Sequence, residues 1–282
     1  MVSLDHLTAL YSPLDQEYNQ AMSGPYEDLS YHGDDCKIIA GLKDGRISGF
    51  YRPVVALGDD KGLKLHIERL FDICPNIYYL DFLIDGRLSV ISQFLLRHGH
   101  IARPYYTQII ELFKTKRRTG FAEEKRLYTG LRKSYKQLVK QGNPYHCPVE
   151  EGYMWKMKRF HEKMRGIRRS EKSWKIMADM HRTSDTILIG DENVYVFVVH
   201  NQYSAYYFSG VSDNVNMHAY IWKAIKALIG RGVNIFEMGE QVFDVGAPMM
   251  ERGKLATKKD VDISHFKNGF GGRTVTRLIL EK

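Results

Sequence analysis

Apolar residues recur along this chain in two periods, and the alternation between those periods predicts its elements. Segments 37–42 and 47–57 read as strands joined by Lys43-Asp44-Gly45, residue types suited to a tight hairpin turn. In 62–72, Leu63, Ile67, Leu70 and Phe71 repeat at helical spacing, which predicts one buried stripe. Segment 77–84 is an apolar strand, 88–98 a helix ending near Gly99, and 103–113 a long strand. The spacing then predicts a long helix over 123–140, stopped by Gly142-Asn143-Pro144, and further helices over 151–167 and 171–181. Strands follow at 194–200 and 204–211, a helix at 215–229, and strands at 233–238 and 274–280. Residues 1–35 are polar, carry Pro13 and Ser23-Gly24-Pro25 as breakers, and read as irregular. Strands interleaved with helices define an α/β class of mixed α+β character. A strand-strand-helix-strand-helix order occurs twice. The chain therefore divides into an N-terminal half over 1–104 and a C-terminal half over 105–282, with the boundary near Arg103-Pro104.

Composition narrows the class. Of 282 residues, 44% are hydrophobic and 12% aromatic, enough for a large core; this excludes global disorder. No stretch comes near the ~18 uninterrupted apolar residues of a membrane span, and the start Met1-Val2-Ser3-Leu4-Asp5-His6 has no basic-then-apolar leader pattern. Three dispersed cysteines, Cys36, Cys74 and Cys147, form no CxxC pair, which speaks against a disulfide framework. A cytoplasmic protein is expected. The eleven histidines are scattered without ligand spacing, so no metal site is expected.

The net charge of +8 is unevenly placed. Residues 114–182 hold 20 Lys/Arg against 7 Asp/Glu, or +13, whereas the rest hold 21 against 26, or −5. Such a block suits a polyanion, and Lys116, Arg117, Arg118, Arg132, Lys133 and Lys136 are the candidate nucleic-acid contacts. The alternative is a set of solvated helix faces, with Tyr128, Leu131, Tyr135 and Leu138 as the inward stripe. Zinc-finger, RNP-type and basic-zipper signatures are absent, so DNA is not an expected partner. Phosphate-loop, HExxH, GxSxG and GxGxxG motifs are absent as well.

Two stretches carry candidate chemistry. The first, Gly232-Val233-Asn234-Ile235-Phe236-Glu237-Met238-Gly239-Glu240, is a buried strand with acids at its carboxyl end, where open α/β sheets bind ligands. Glu237, Glu240 or Asp244 could serve as a base there. The second is His265-Phe266-Lys267-Asn268-Gly269-Phe270-Gly271-Gly272. Its glycines permit close backbone approach to a ligand, and the Lys267 ammonium could stabilise an oxyanion. A bulge or hairpin with a surface lysine is the plain alternative.

Taken with the strand bearing Tyr206-Tyr207-Phe208-Ser209-Gly210, the FKxxFGG element resembles the Fem-type branch of the GNAT acyltransferase superfamily, which includes the peptidoglycan interpeptide-bridge aminoacyltransferases. Tyr106 to Leu112 and the basic run Leu131-Arg132-Lys133-Ser134-Tyr135-Lys136 fit the same pattern, so the resemblance covers about residues 37–282. It implies two tandem GNAT-like domains with mixed twisted sheets and flanking helices, and transfer of an acyl group to an amine. It also implies Lys267, Glu237 and Asp244 as catalytic, with Phe270, Gly271, Gly272, Ser212, Asn214 and Tyr207 lining the substrate channel. Two departures stand out. Glu237 replaces the family's usual Asp, and the first-half acceptor acid is not fixed by motif, leaving Asp81 and Asp85 as candidates by position. The loop 209–217 has a single early Gly, a poor pyrophosphate cradle. With the basic block, this favours aminoacyl-tRNA as co-substrate over acyl-CoA, and an amine-bearing metabolite or cell-envelope precursor as acceptor. A non-catalytic RNA-binding protein on the same fold is the remaining alternative. No bound cofactor is expected.

Overall fold

The computed structural model describes residues 13–50, 52–81, 87–113, 120–141, 144–182, 185–213, 216–249 and 253–282. The first part opens with α1 (Pro13–Ser23) and short strands β1 (Glu27–Asp28), β2 (Tyr31–His32), β3 (Cys36–Ile39), β4 (Gly41–Lys43), β5 (Arg46–Ser48) and β6 (Val55–Gly58). Then come α2 (Asp60–Ile73), β7 (Tyr79–Asp81), α3 (Val90–Arg97) and the long β8 (Ile101–Glu111). Helices α4 (Gly120–Gly130) and α5 (Lys133–Leu138), β9 (Tyr145–His146), α6 (Glu151–Arg165) and α7 (Glu171–Arg182) form the basic middle. The last part holds β10 (Thr186–Gly190), β11 (Val194–His200), β12 (Ser204–Ser212), α8 (His218–Gly230) and β13 (Ile235–Glu240). It closes with β14 (Pro248–Met249), β15 (Lys254–Leu255), α9 (Lys258–Asn268) and β16 (Arg273–Glu281).

One eight-stranded mixed sheet, ordered β7-β16-β8-β13-β12-β11-β10-β9, organises the molecule. Its pairs are antiparallel except β12–β13, which run parallel because α8 crosses between them. One face carries Val194, Val196, Val198, Ala205, Phe236 and Met238 against α8. The other packs Phe197, Val199 and Val211 against Trp174 and Met177 of α7 and Met154 and Met157 of α6. Two three-stranded sheets, β1-β4-β5 and β2-β3-β6, adjoin β7 and hold a further core with α2 and α3.

The mixed α/β class expected from the pattern is the class observed, and the hairpin turn stands where expected, with Asp44 and Gly45 both at positive φ. Four elements differ. The helix expected over 123–140 is two helices. Gly130 ends the first, and Arg132 adopts extended geometry so that its N–H reaches the Gly269 carbonyl at 2.9 Å. Residues 13–23 are helical, not irregular, with Pro13 in the first turn, where its missing N–H costs nothing. Strand β10 is a fully buried run of five residues between longer signals. The loop expected around Lys267 is α9. Its buried residues are Asp260 and Ser264, so it has no apolar stripe by which to be recognised. The expected 104/105 division lies inside β8, and β16 sits between β7 and β8, so the parts on either side of it share one sheet. None of the described helices is long and apolar enough to cross a membrane.

Candidate active site

Three rungs join β12 to β13: Ser204↔Ile235, Ala205↔Phe236 and Tyr206↔Glu237. Beyond them β12 stays with β11, and β13 stays with β8. Each strand also carries a register shift near this point. Phe208 is the extra residue of β12 against β11, and Met238 that of β13 against β8. Bulges bend strands and interrupt ladders. The carboxyl ends of the two parallel strands are thereby parted, which is where ligands enter open α/β sheets.

Lys267 reaches this opening from the last turn of α9. Thr257 fixes the start of that helix with a capping box, in which Thr257 N–H donates to Asp260 at 2.9 Å. At the far end, Lys267 Nζ donates to the carbonyl oxygen of Glu240 at 3.1 Å. The bulge glycine, Gly239, has φ +82. A Cβ there would lie 3.2 Å from Tyr206 Oη and 3.5 Å from Lys267 Nζ. A hydroxyl and an ammonium thus meet at a backbone position whose conformation and crowding both favour glycine.

Glu237 occupies a different setting. Arg277 of β16 grips it with two bonds, Nη1 to Oε1 at 2.8 Å and Nη2 to Oε2 at 3.0 Å, and Thr107 Oγ1 donates to Oε1 at 2.8 Å. Glu237, Arg277 and Thr107 are all buried. A carboxylate held by three donors is a sheet-locking ion pair, not a base awaiting a substrate proton. Asp244 stands in an exposed turn and accepts the N–H of the next residue, Val245, at 2.8 Å. Glu240 is buried, lies opposite Thr107 in register, and supplies the carbonyl that receives Lys267.

The aromatic-glycine part of the FKxxFGG element is scaffold. Phe270 is buried against Tyr135, His218 and Phe266. The N–H groups of Gly269, Phe270 and Gly271 donate to the carbonyls of Phe266, Lys267 and Asn268, closing the end of α9. They therefore do not face a ligand as the glycine content suggests. Gly271 and Gly272 have φ +81 and +83, and a Cβ on Gly272 would stand 2.3 Å from the Ile109 carbonyl oxygen. The Gly271 carbonyl accepts Gln108 Nε2 at 2.6 Å. The pair lets α9 turn directly into β16 against β8.

Tyr207 points into the α8 core, where its hydroxyl meets Met217 Sδ at 3.5 Å and burial pushes its pKa well up. Ser212 ends β12, half-buried and paired with Val194, while Asn214 lies outside the described residues. Asp81 is buried and accepts Ser92 Oγ at 2.5 Å and Ser89 N–H at 3.0 Å, which anchors the start of α3; Asp85 lies outside the described residues. The first turn of α8 is occupied too. Asn216 Oδ1 accepts the His218 N–H at 3.0 Å, and Asn216 Nδ2 bonds the Leu138 carbonyl of α5 at 2.8 Å. The His218 ring packs 4.1 Å from that of Tyr135, and burial lowers its pKa. Protein atoms thus occupy part of the helix end, with residues 216–218 left half-buried, where a pyrophosphate would sit in the α8 crossover.

Lys116, Arg117 and Arg118 lie outside the described residues. Arg132 and Lys133 are exposed at the start of α5, with Lys136 half-buried one turn on. The larger exposed basic surface is on α6, α7 and the turn between them: Lys156, Arg159, Lys163, Arg165, Arg168, Lys172 and Lys175.

Arg169 and Arg52 flank the bulge of β12. In the linear pattern the first is one cation in a run, and the second carries no signal at all. Arg169 donates to Tyr18 Oη at 2.9 Å, to Ser209 Oγ at 3.2 Å and to His161 Nε2 at 2.9 Å. Burial and the guanidinium groups of Arg169, Arg165 and Arg168 push the His161 pKa down to about 4, so its ring is neutral near pH 7. The Arg52 guanidinium lies 6.0 Å from the Tyr206 ring centre and 5.8 Å from that of Phe208.

No protein-family model matches the chain, and no curated protein matches it. Its similarity to solved structures is extensive. The FemX crystal structure superposes with a TM-score of 0.67 at 9% identity, covering 96% of this chain and 91% of the other. The C-terminal domain (DUF2156) of a putative lysylphosphatidylglycerol synthetase from Agrobacterium fabrum gives 0.60 at 11% identity, covering 99% and 90%. L-PGS from Bacillus licheniformis gives 0.59 at 10%, covering 96% and 87%. At these identities the likeness is one of fold. The chain has the mixed α/β fold that FemX and the lysylphosphatidylglycerol synthetase domain share, the fold the resemblance implied.

Proposed function

We propose that this protein is an N-acyltransferase that moves an aminoacyl group from aminoacyl-tRNA to an amine of a cell-envelope or metabolite precursor. The observation that carries the reading is Lys267 Nζ beside Gly239 at the parted ends of β12 and β13. A cation at that position can stabilise the oxygen of a carbonyl under attack. In this reading the neutral amine adds to the ester carbonyl, a C–N bond forms, and negative charge develops on the oxygen facing Lys267. The ribosyl C–O bond then breaks, and the ribose oxygen takes the proton that the amine gives up.

Two features favour the tRNA ester over a CoA thioester. The start of α8 is partly occupied by Asn216, which takes the His218 N–H and binds α5, and a broad basic surface lies on α6 and α7 and the turn between them. FemX and a lysylphosphatidylglycerol synthetase domain share the fold, and with the Fem-type resemblance this makes a cell-envelope amine the natural first trial. The test offers the protein charged tRNA pools with one radiolabelled amino acid at a time and a panel of amine acceptors. Label moving to an acceptor, and not from acyl-CoA, supports the reading. Transfer from acyl-CoA alone reverses the donor. Salt-sensitive tRNA binding without any transfer makes the protein an RNA-binding relative.

A further inference from the structure

We propose that Asp35, Cys36 and His66 form a binding site for a divalent cation of the zinc class, on the face of the first part where β3 meets α2. The three side chains come from separate places. Asp35 ends the turn after β2, Cys36 begins β3, and His66 is in the second turn of α2. One ligand atom from each lies within 4.8 Å of the other two. Ligands bound to zinc at about 2.0–2.3 Å stand roughly 3.3–3.8 Å apart. Closing the set thus needs a movement of about 1 Å, and Asp35, the exposed member, can supply it.

The surroundings orient these atoms. Asp35 Oδ1 accepts the Cys36 N–H at 2.9 Å and faces Tyr31 Oη at 3.4 Å. That leaves Oδ2 directed at α2. The Tyr31 ring stacks on His66 with centroids 3.7 Å apart, which fixes the plane of the imidazole. Such outer contacts hold ligands in metal sites. The helix position under the cluster is Gly62, one turn before His66. A Cβ there would lie 2.4 Å from Asp35 Oδ2 and 3.2 Å from Cys36 Sγ. Glycine is a poor helix former, and here its lack of a side chain leaves the space between the two ligand atoms open.

The donor set selects the metal class. One thiolate, one imidazole and one carboxylate suit zinc and its cobalt substitute better than magnesium or calcium, which take oxygen ligands. Three protein ligands leave a fourth position for water on the side of exposed Asp35. The ion would tie the β2–β3 turn to α2. Linear spacing hides the set, because His66 follows Cys36 by 30 residues. The proposal is independent of the acyltransfer reading.

The test titrates the full-length, chelator-treated protein with Co²⁺, then displaces it with Zn²⁺. One equivalent of Co²⁺ with a thiolate-to-metal charge-transfer band and strong tetrahedral visible bands is expected. Zn²⁺ should raise the thermal midpoint. Cys36→Ser should abolish the charge-transfer band. Asp35→Asn and His66→Gln should weaken Co²⁺ binding about tenfold or more, and Gly62→Ala should weaken it with every ligand intact. Circular dichroism of each variant separates lost binding from lost folding. His66→Gln and Asp35→Asn keep the test decisive if the buried Cys36 variant fails to fold. Absence of the charge-transfer band in the natural sequence, its persistence in folded Cys36→Ser, or unchanged affinity in folded His66→Gln and Asp35→Asn overturns the site.

Discussion

At Glu237, strand β13 turns its side chain into the sheet, where Arg277 and Thr107 engage both carboxylate oxygens. Two residues on, at Gly239, the same strand bulges, parts from its parallel neighbour and receives the Lys267 ammonium and Tyr206 hydroxyl beside its backbone. The first position is held by partners on every side. The second offers groups toward an opening. A charged side chain in a suggestive strand is therefore weak evidence of chemistry until its partners are known. On the acyltransfer reading, the neutral, side-chain-free residue marks the proposed reactive place better than the acid does.

The sharpest way to break this contrast is to remove Arg277. Arg277→Met leaves Glu237 buried and uncompensated, and loss of one partner of such a pair costs about 3–5 kcal/mol. Chemical denaturation should show that loss as a lower midpoint. If Arg277→Met is as stable as the natural protein and fails only in turnover, Glu237 is catalytic and the contrast collapses.

Lys267→Met tests the other side. Turnover should fall about 10- to 1000-fold, the usual range for losing an oxyanion donor, while the melting temperature stays close to that of the natural protein. The fall should appear in kcat with little change in KM, because the interaction grows only as charge develops. Unchanged kinetics would remove Lys267 from the chemistry.

Much of this frame is legible in the linear pattern. Long amphipathic or fully buried segments such as β11, β12 and α8 announce themselves by period and length. Lys267 draws attention in the sequence through the glycines that follow it, yet those glycines serve a tight helix-to-strand turn, and their N–H groups close α9. Helix α9 gives no periodic signal because it buries Asp260 and Ser264 instead of an apolar stripe. The bonds from Glu237 to Arg277 and from Arg169 to Ser209 each span 40 residues along the chain, and no local period reports such a pairing.

Gly272→Ala probes the scaffold reading of the glycine pair. At φ +83 with the Ile109 carbonyl 2.3 Å from the new Cβ, strain of about 1–3 kcal/mol is expected. The folded fraction should retain its kcat, whereas a ligand-cradling glycine would lose kcat instead of stability. A purely pH-dependent effect concerns His161, whose pKa is pushed down from 6.5 to about 4 by burial and by Arg169, Arg165 and Arg168. The unfolded chain takes up a proton that the folded protein refuses. Stability should therefore fall as pH drops from about 6.5 toward 4 and level off below. His161→Gln should flatten that part of the pH–stability curve.

The basic surface extends the contrast to groups whose partner would come from outside. Lys156, Arg159 and Lys163 are exposed and recur along one side of α6, Lys156 resting 4.5 Å over the Tyr153 ring, unlike Lys158, which pairs with Glu162 and Glu171 at 3.2 and 3.0 Å. Reversing the three exposed charges to glutamate should change stability by no more than about 0.5 kcal/mol per site, as is usual for surface positions. If they meet tRNA phosphates, affinity should fall, and the slope of log affinity against log salt should shrink by roughly 0.7–0.9 for each phosphate no longer neutralised. Filter binding over a salt series measures both. A variant that binds tRNA with the same affinity and slope would reduce these helices to solvated faces. The choice of donor would then rest on the partly occupied start of α8 alone.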